Sequence, residues 1–202
     1  VSDQPDDVDG IGTKETLQQI WRLVTRMTGN DNGSLGLHPA VYFYGPSGQH
    51  QAPMFMGTAL LIKRKMLAND PTFFAKLSSC RSRLEKTLVE QKPTIAAILQ
   101  AYISKHRVEK YATFLDALIT RLQSDMPIDN QEIVSLSGLA GKVFVGGSPV
   151  DGPSFSDDVK SATFIRKALQ SAVTCTICGG YLDPCKSVSY DHVTRKREGG
   201  KG

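Results

Sequence analysis

The chain lacks any apolar run near the roughly 20 residues needed to cross a bilayer. Its longest such run, residues 54–62, is interrupted by Gly57 and Thr58. The opening Val-Ser-Asp-Gln-Pro-Asp-Asp is polar and acidic, the opposite of a secretory leader in composition. With neither signal in these residues and no membrane partner indicated, the cytoplasm is the expected location. Cysteine is scarce, at four in 202 residues, and does not make a disulfide framework. Cys80 stands alone in a helical pattern and reads as a small buried hydrophobe. Cys175, Cys178 and Cys185 cluster, which in a cytosolic chain favours a metal over a disulfide. Internal repeats and low-complexity tracts are missing too. A net charge of +4 is too mild to imply a nucleic-acid partner by itself.

What is present fits a soluble globular protein: 40% apolar and 22% charged residues. The length allows one sizeable domain plus a small module. The first residue is Val, so the chain is expected to be a fragment or a processed form. Charge is unevenly placed. Residues 1–10 hold four aspartates and no basic residue, whereas residues 186–201 hold Lys186, Arg195, Lys196, Arg197 and Lys201 against Asp191 and Glu198.

Helical periodicity dominates the first 140 residues. Leu17, Ile20, Trp21, Val24 and Met27 recur at helical spacing over residues 14–28, with Thr13 placed to cap. Residues 37–44 are apolar and aromatic, a pattern that suits a short strand and reads similarly to a buried helix start, followed by a Gly-Pro-Ser-Gly turn. Residues 53–67 read as a helix. Asp70 before Pro71 is an N-cap with proline at the first helical position, predicting a helix over 71–89. Lys92-Pro93 opens the next, and residues 107–124 form another; residues 129–137 are ambiguous. Trp21, Phe55, Phe74, Leu99 and Leu118 are the expected core. Residues 141–153 are rich in glycine and proline and read as a linker. Ser156-Asp157-Asp158 then opens a helix to about residue 172, with acids suited to its positive end. The expected fold is mainly α: a helical domain over 1–140, a linker and connecting helix over 141–172, and a small zinc-hairpin module over 173–202.

That module carries the chemistry. Cys175-Thr-Ile-Cys178 followed by Gly179-Gly180 lets a tight turn aim two thiolates at one metal. A structural zinc needs four ligands; Cys185 is a possible third, and Asp183 and His192 are poorer ones. A redox reading is disfavoured, because a helix precedes the pair and no βαβ pattern surrounds it. Asp191-His192 ends an alternating segment that would pair back across the knuckle. A carboxylate beside an imidazole can hold a divalent ion next to a base that takes a proton from water. Arg195, Lys196, Arg197 and Lys201, interleaved with Gly199 and Gly200, suit a phosphate backbone.

The order Cys-x-x-Cys, a dozen residues, Asp-His, then basic residues and Gly-Gly resembles the front of the HNH nuclease family, whose fold is the ββα-metal module. The resemblance covers residues 173–202. It implies that His192 is the general base and that Asp191 is a ligand of magnesium or another divalent ion. It also implies that Cys175 and Cys178 are half of a structural zinc site, and that Arg195, Lys196, Arg197 and Lys201 bind nucleic acid. The family's remaining ligands would lie beyond Gly202, so the module as written is a truncated one. Residues 37–44, the glycine-rich turn and the long helical stretch ahead of such a module are similar to the GmrSD-type restriction and anti-phage proteins. That likeness implies a ParB-like domain preceding this chain. His38 reads more simply as an N-cap or packing residue. The resulting expectation is a metal-dependent DNA endonuclease of bacterial restriction or anti-phage defence. The alternatives are a non-catalytic helical, zinc-knuckle module that binds nucleic acid or protein, and an RNA-cutting toxin with the same chemistry.

Overall fold

In the computed structural model the described residues are 6–31, 33–141, 157–186 and 188. They are mainly helical, and strand pairing among them is confined to two isolated antiparallel bridges, Tyr44 with His50 and Thr174 with Tyr181. The helices are α1 (Ile11–Thr28), α2 (Pro39–Tyr42), α3 (Ala52–Leu67), α4 (Pro71–Ser79), α5 (Arg81–Glu90), α6 (Lys92–Ala101), α7 (Arg107–Arg121), α8 (Asn130–Leu136) and α9 (Asp157–Gln170). A 3₁₀ turn, Ser104–His106, leads into α7. No helix among the described residues is long and apolar enough to cross a membrane. The expected linker falls almost wholly outside the described residues, as does Ser156.

Local signals explain several boundaries. Asp70 accepts the Phe73 N–H at 2.9 Å and starts α4, and Asp129 does the same for Glu132 at 2.8 Å at the head of α8. The helix α1 begins earlier than its period suggests. Asp7, not Thr13, accepts the amides of Gly12 and Thr13 there. Of the two readings of residues 37–44, strand or buried helix start, the structure has the helical one, the single turn α2. His38 caps it through Nδ1, which accepts the Ala40 N–H at 3.2 Å, and Pro39 supplies the fixed φ of a first helical residue. The stretch expected as one helix over 71–89 is two, because the backbone turns at Cys80 (φ −101°, ψ 6°). That turn lets Leu77 and Leu84 both enter the core around a buried Cys80 thiol.

The core gathers Leu84, Leu88, Ile95, Ile98, Leu115 and Leu118, all but sealed from solvent, with Tyr42 and Phe114. Leu99 is also buried, while Phe55 and Phe74 are partly buried against the same cluster. Trp21 departs from expectation: it is 73% exposed. The helix α1 turns Leu23 and Met27 to the body, which leaves Leu17, Ile20, Trp21 and Val24 facing outward. Periodicity marks an apolar stripe but not what covers it.

The most extensive helix contact is α3 on α7. It depends on Gly57, where an added Cβ would lie 2.7 Å from Tyr111 Cδ1 and 3.0 Å from the Val108 carbonyl oxygen. The Tyr111 ring is fully buried, and its hydroxyl has no hydrogen-bond partner among the described residues. Gly57→Ala is therefore expected to destabilise the fold by about 1–3 kcal/mol through overpacking, despite alanine's better helix propensity. Tyr111→Phe is expected to be neutral or stabilising by about 1 kcal/mol, since it removes an unsatisfied polar group. Chemical denaturation followed by circular dichroism reads both.

Lys92 opens α6 and is buried, with Nζ donating to the carbonyls of Val41 and Tyr44, each at 2.8 Å. Burial lowers its pKa from 10.5 to about 8. The native protein thus releases this proton near pH 8, while the unfolded chain keeps it until about pH 10.5. The unfolded state binds more protons between those limits, so stability rises with pH across the window, by up to about 3 kcal/mol. Denaturation curves at both ends of the window should show that rise in the wild-type chain and lose it in Lys92→Met.

Candidate metal centre

Residues 173–182 form a short hairpin. The Leu182 N–H donates to the Val173 carbonyl, the Cys175 N–H to the Gly180 carbonyl, and the Gly179 N–H back to the Cys175 carbonyl, each at 2.8 Å. Gly179 sits at φ +68°, a left-handed position that closes the turn at no steric cost only for glycine. This is how Cys175 and Cys178 come to share one end of the hairpin, with Ile177 almost fully exposed at its tip.

The amides of Cys178 and Ile177 donate to Cys175 and lower its thiol pKa. Burial raises that of Cys178, against the pull of the Gly180 amide and of Arg81. The two thiols also influence each other's ionisation. The Cys175 environment thus favours the thiolate and that of Cys178 the thiol, and two cysteine sulfurs on one turn are the donor types of one half of a tetrahedral zinc site. Among the described residues no third Cys, His, Asp or Glu joins the pair. Cys185 is exposed, in a turn where Asp183 accepts its amide at 2.9 Å. Asp183 lies close enough to His38 to raise its pKa, but burial outweighs this and the net shift is downward.

Of the residues singled out from sequence, the structure brings together Cys175 and Cys178. Asp191, His192, Arg195, Lys196, Arg197 and Lys201 lie outside the described residues. The chain on the way to them passes the loop after α1, where Asn30 Nδ2 donates to the Val188 carbonyl at 3.4 Å.

The hairpin rests on a polar cluster that sequence reasoning missed. Arg81 and Glu85 are 6% and 1% exposed, one turn apart on the inner face of α5, and pair through Nε and Oε1 at 2.8 Å. Arg81 also donates through Nη1 to the Leu35 carbonyl, and through Nη2 to Gly36 at 2.7 Å and Tyr181 at 3.4 Å. Glu85 Oε1 accepts the Tyr42 hydroxyl at 3.0 Å, while Oε2 accepts the Tyr181 N–H. Burial, reinforced by the Glu85 carboxylate, holds the Tyr42 phenol protonated far above its usual range, which keeps it a donor. Gly180 lies directly on the Arg81 stem, where a Cβ would overlap Nε, Cδ and Cγ. The signal in the sequence was two opposite charges in phase with Leu84 and Leu88.

No family model matches this chain, and neither does a curated protein or a solved structure.

A buried ion pair is hazardous to break from one side. Arg81→Met alone is expected to destabilise the protein by about 3–5 kcal/mol, because it strands the Glu85 carboxylate. Adding Glu85→Leu should recover part of that loss. A double-mutant cycle read by urea denaturation checks it, with a coupling energy above about 1 kcal/mol expected.

Proposed function

We propose that residues 173–202 are the front of an HNH, ββα-metal nuclease module and that the protein is a metal-dependent endonuclease hydrolysing DNA in bacterial restriction or anti-phage defence. The observation that carries the reading is the folded Cys175–Cys178 turn, closed by the Cys175–Gly180 and Gly179–Cys175 backbone hydrogen bonds with Gly179 in the left-handed region. The order of motifs after it supports the same reading: Asp191-His192, then Arg195, Lys196, Arg197 and Lys201 around Gly199 and Gly200. In this reading Cys175 and Cys178 hold a structural zinc that locks the hairpin. His192 takes the proton from the attacking water, and Asp191 holds a divalent ion. When bound, that ion offsets negative charge on the phosphate. Arg195, Lys196, Arg197 and Lys201 bind the nucleic-acid backbone and supply most of the salt-dependent affinity.

His192 acts on the water proton, whereas binding comes from the cations. In the full-length protein His192→Ala should therefore abolish visible nicking of plasmid DNA, a loss of about 10²–10⁴ in rate, while DNA binding stays near the wild-type level. Cleavage at the wild-type rate by that variant would reject the nuclease and leave the zinc-knuckle binding module. Cleavage of structured RNA but not of plasmid would move the assignment to the RNA-cutting toxin.

A further inference from the structure

The hairpin that carries Cys175 and Cys178 does not stand free of the helical body. Its pairing runs only from Val173 with Leu182 to Cys175 with Gly180, and an isolated two-stranded hairpin of that size is marginal in water. Its outer strand is held instead by α5. Both polar groups of one residue, the Tyr181 N–H and carbonyl, are bound by the two members of one buried ion pair, Glu85 and Arg81. That pair is itself fixed from the other side by Tyr42 and by the carbonyls of Leu35 and Gly36. Neither Arg81 nor Glu85 can follow the hairpin if it moves, because each would leave buried partners behind.

We propose that Arg81 and Glu85 are positioning residues of the Cys175–Cys178 metal centre, so that metal occupancy and docking of the knuckle on α5 are one coupled equilibrium. The inference rests on the metal reading above and adds its regulation. The ordering of the hairpin, a large part of the free-energy cost of assembling a metal site, is met by the helical body. Anything that loosens the seat lowers metal affinity, and by linkage the bound metal holds Tyr181 on α5 by the same factor.

Gly180 gives a clean test. Its φ lies outside the left-handed range, so its own backbone accepts alanine, and the obstacle to a Cβ is the immobile Arg81 side chain. Gly180→Ala should push the hairpin off its seat and leave the helical body folded. Ile177→Ala, at the exposed tip, keeps the seat and the amide donors and serves as the control. The probe is cobalt(II), titrated into the full-length protein and followed by its thiolate charge-transfer absorption, with amide hydrogen exchange at Tyr181 measured with and without zinc.

The expected result is a loss of about tenfold or more in cobalt affinity for Gly180→Ala, the size typical of outer-sphere disruption, with wild-type affinity in Ile177→Ala. Zinc should slow exchange at Tyr181 in the wild-type protein and not in Gly180→Ala. Equal cobalt affinity in wild type and Gly180→Ala overturns the coupling while leaving the metal centre in place. A wild-type protein that shows no thiolate band overturns the metal reading, and the coupling with it.

Discussion

The carboxylate of Glu85 is the point on which the arrangement turns. One of its oxygens serves the helical body, accepting from Arg81 and Tyr42. The other serves the knuckle, accepting from Tyr181. A buried carboxylate is tolerable only if its lone pairs are met by donors of good geometry. Here the donors come from three separate stretches of chain: α2, α5 and the hairpin. Their relative placement is therefore specified by one side chain with little freedom to compromise. Apolar contacts around it fix distances loosely; this cluster fixes orientation.

The rest of the body supplies the rigidity that such a cluster needs. Close approach of α3 and α7 at Gly57 brings the buried Tyr111 ring against the helix backbone. The bend at Cys80 sets α5 at the angle that presents Arg81 and Glu85 inward. Lys92, at the head of α6, ties the carbonyls of Val41 and Tyr44 at the end of α2. Tyr42, which lies between those two anchored carbonyls, is thereby kept in register with Glu85. The candidate centre thus depends on helix placements far from it in sequence.

Helices are legible where a cap and a period coincide, as at Asp70-Pro71, whereas the short period after the Asp129 cap leaves α8 ambiguous. The single turn α2 is ambiguous in sequence, because Val41 and the aromatic run that follows it favour a strand while His38-Pro39 signals a helix start. The bend at Cys80 has no proline or glycine to mark it and arises from tertiary packing. Trp21 fits its helical stripe, yet the stripe faces solvent, which no property of α1 alone could reveal. At the candidate site, the Cys175–Cys178 turn was legible because its geometry is local and needs Gly179. Its seat was not, since Glu85 and Tyr181 are 96 residues apart and charged residues in a helix are by default read as solvated.

The outward placement of Trp21 has a practical consequence. It is the sole tryptophan in the chain, so the intrinsic indole emission originates from the surface of α1 and not from the packed interior. An emission maximum already near that of a solvated indole has little room to move when the core melts. The same fluorophore is well placed to shift or quench when any partner settles on Leu17, Ile20 and Val24. In this protein, tryptophan spectroscopy is a reporter of contacts made by the first helix and a poor thermometer of the fold.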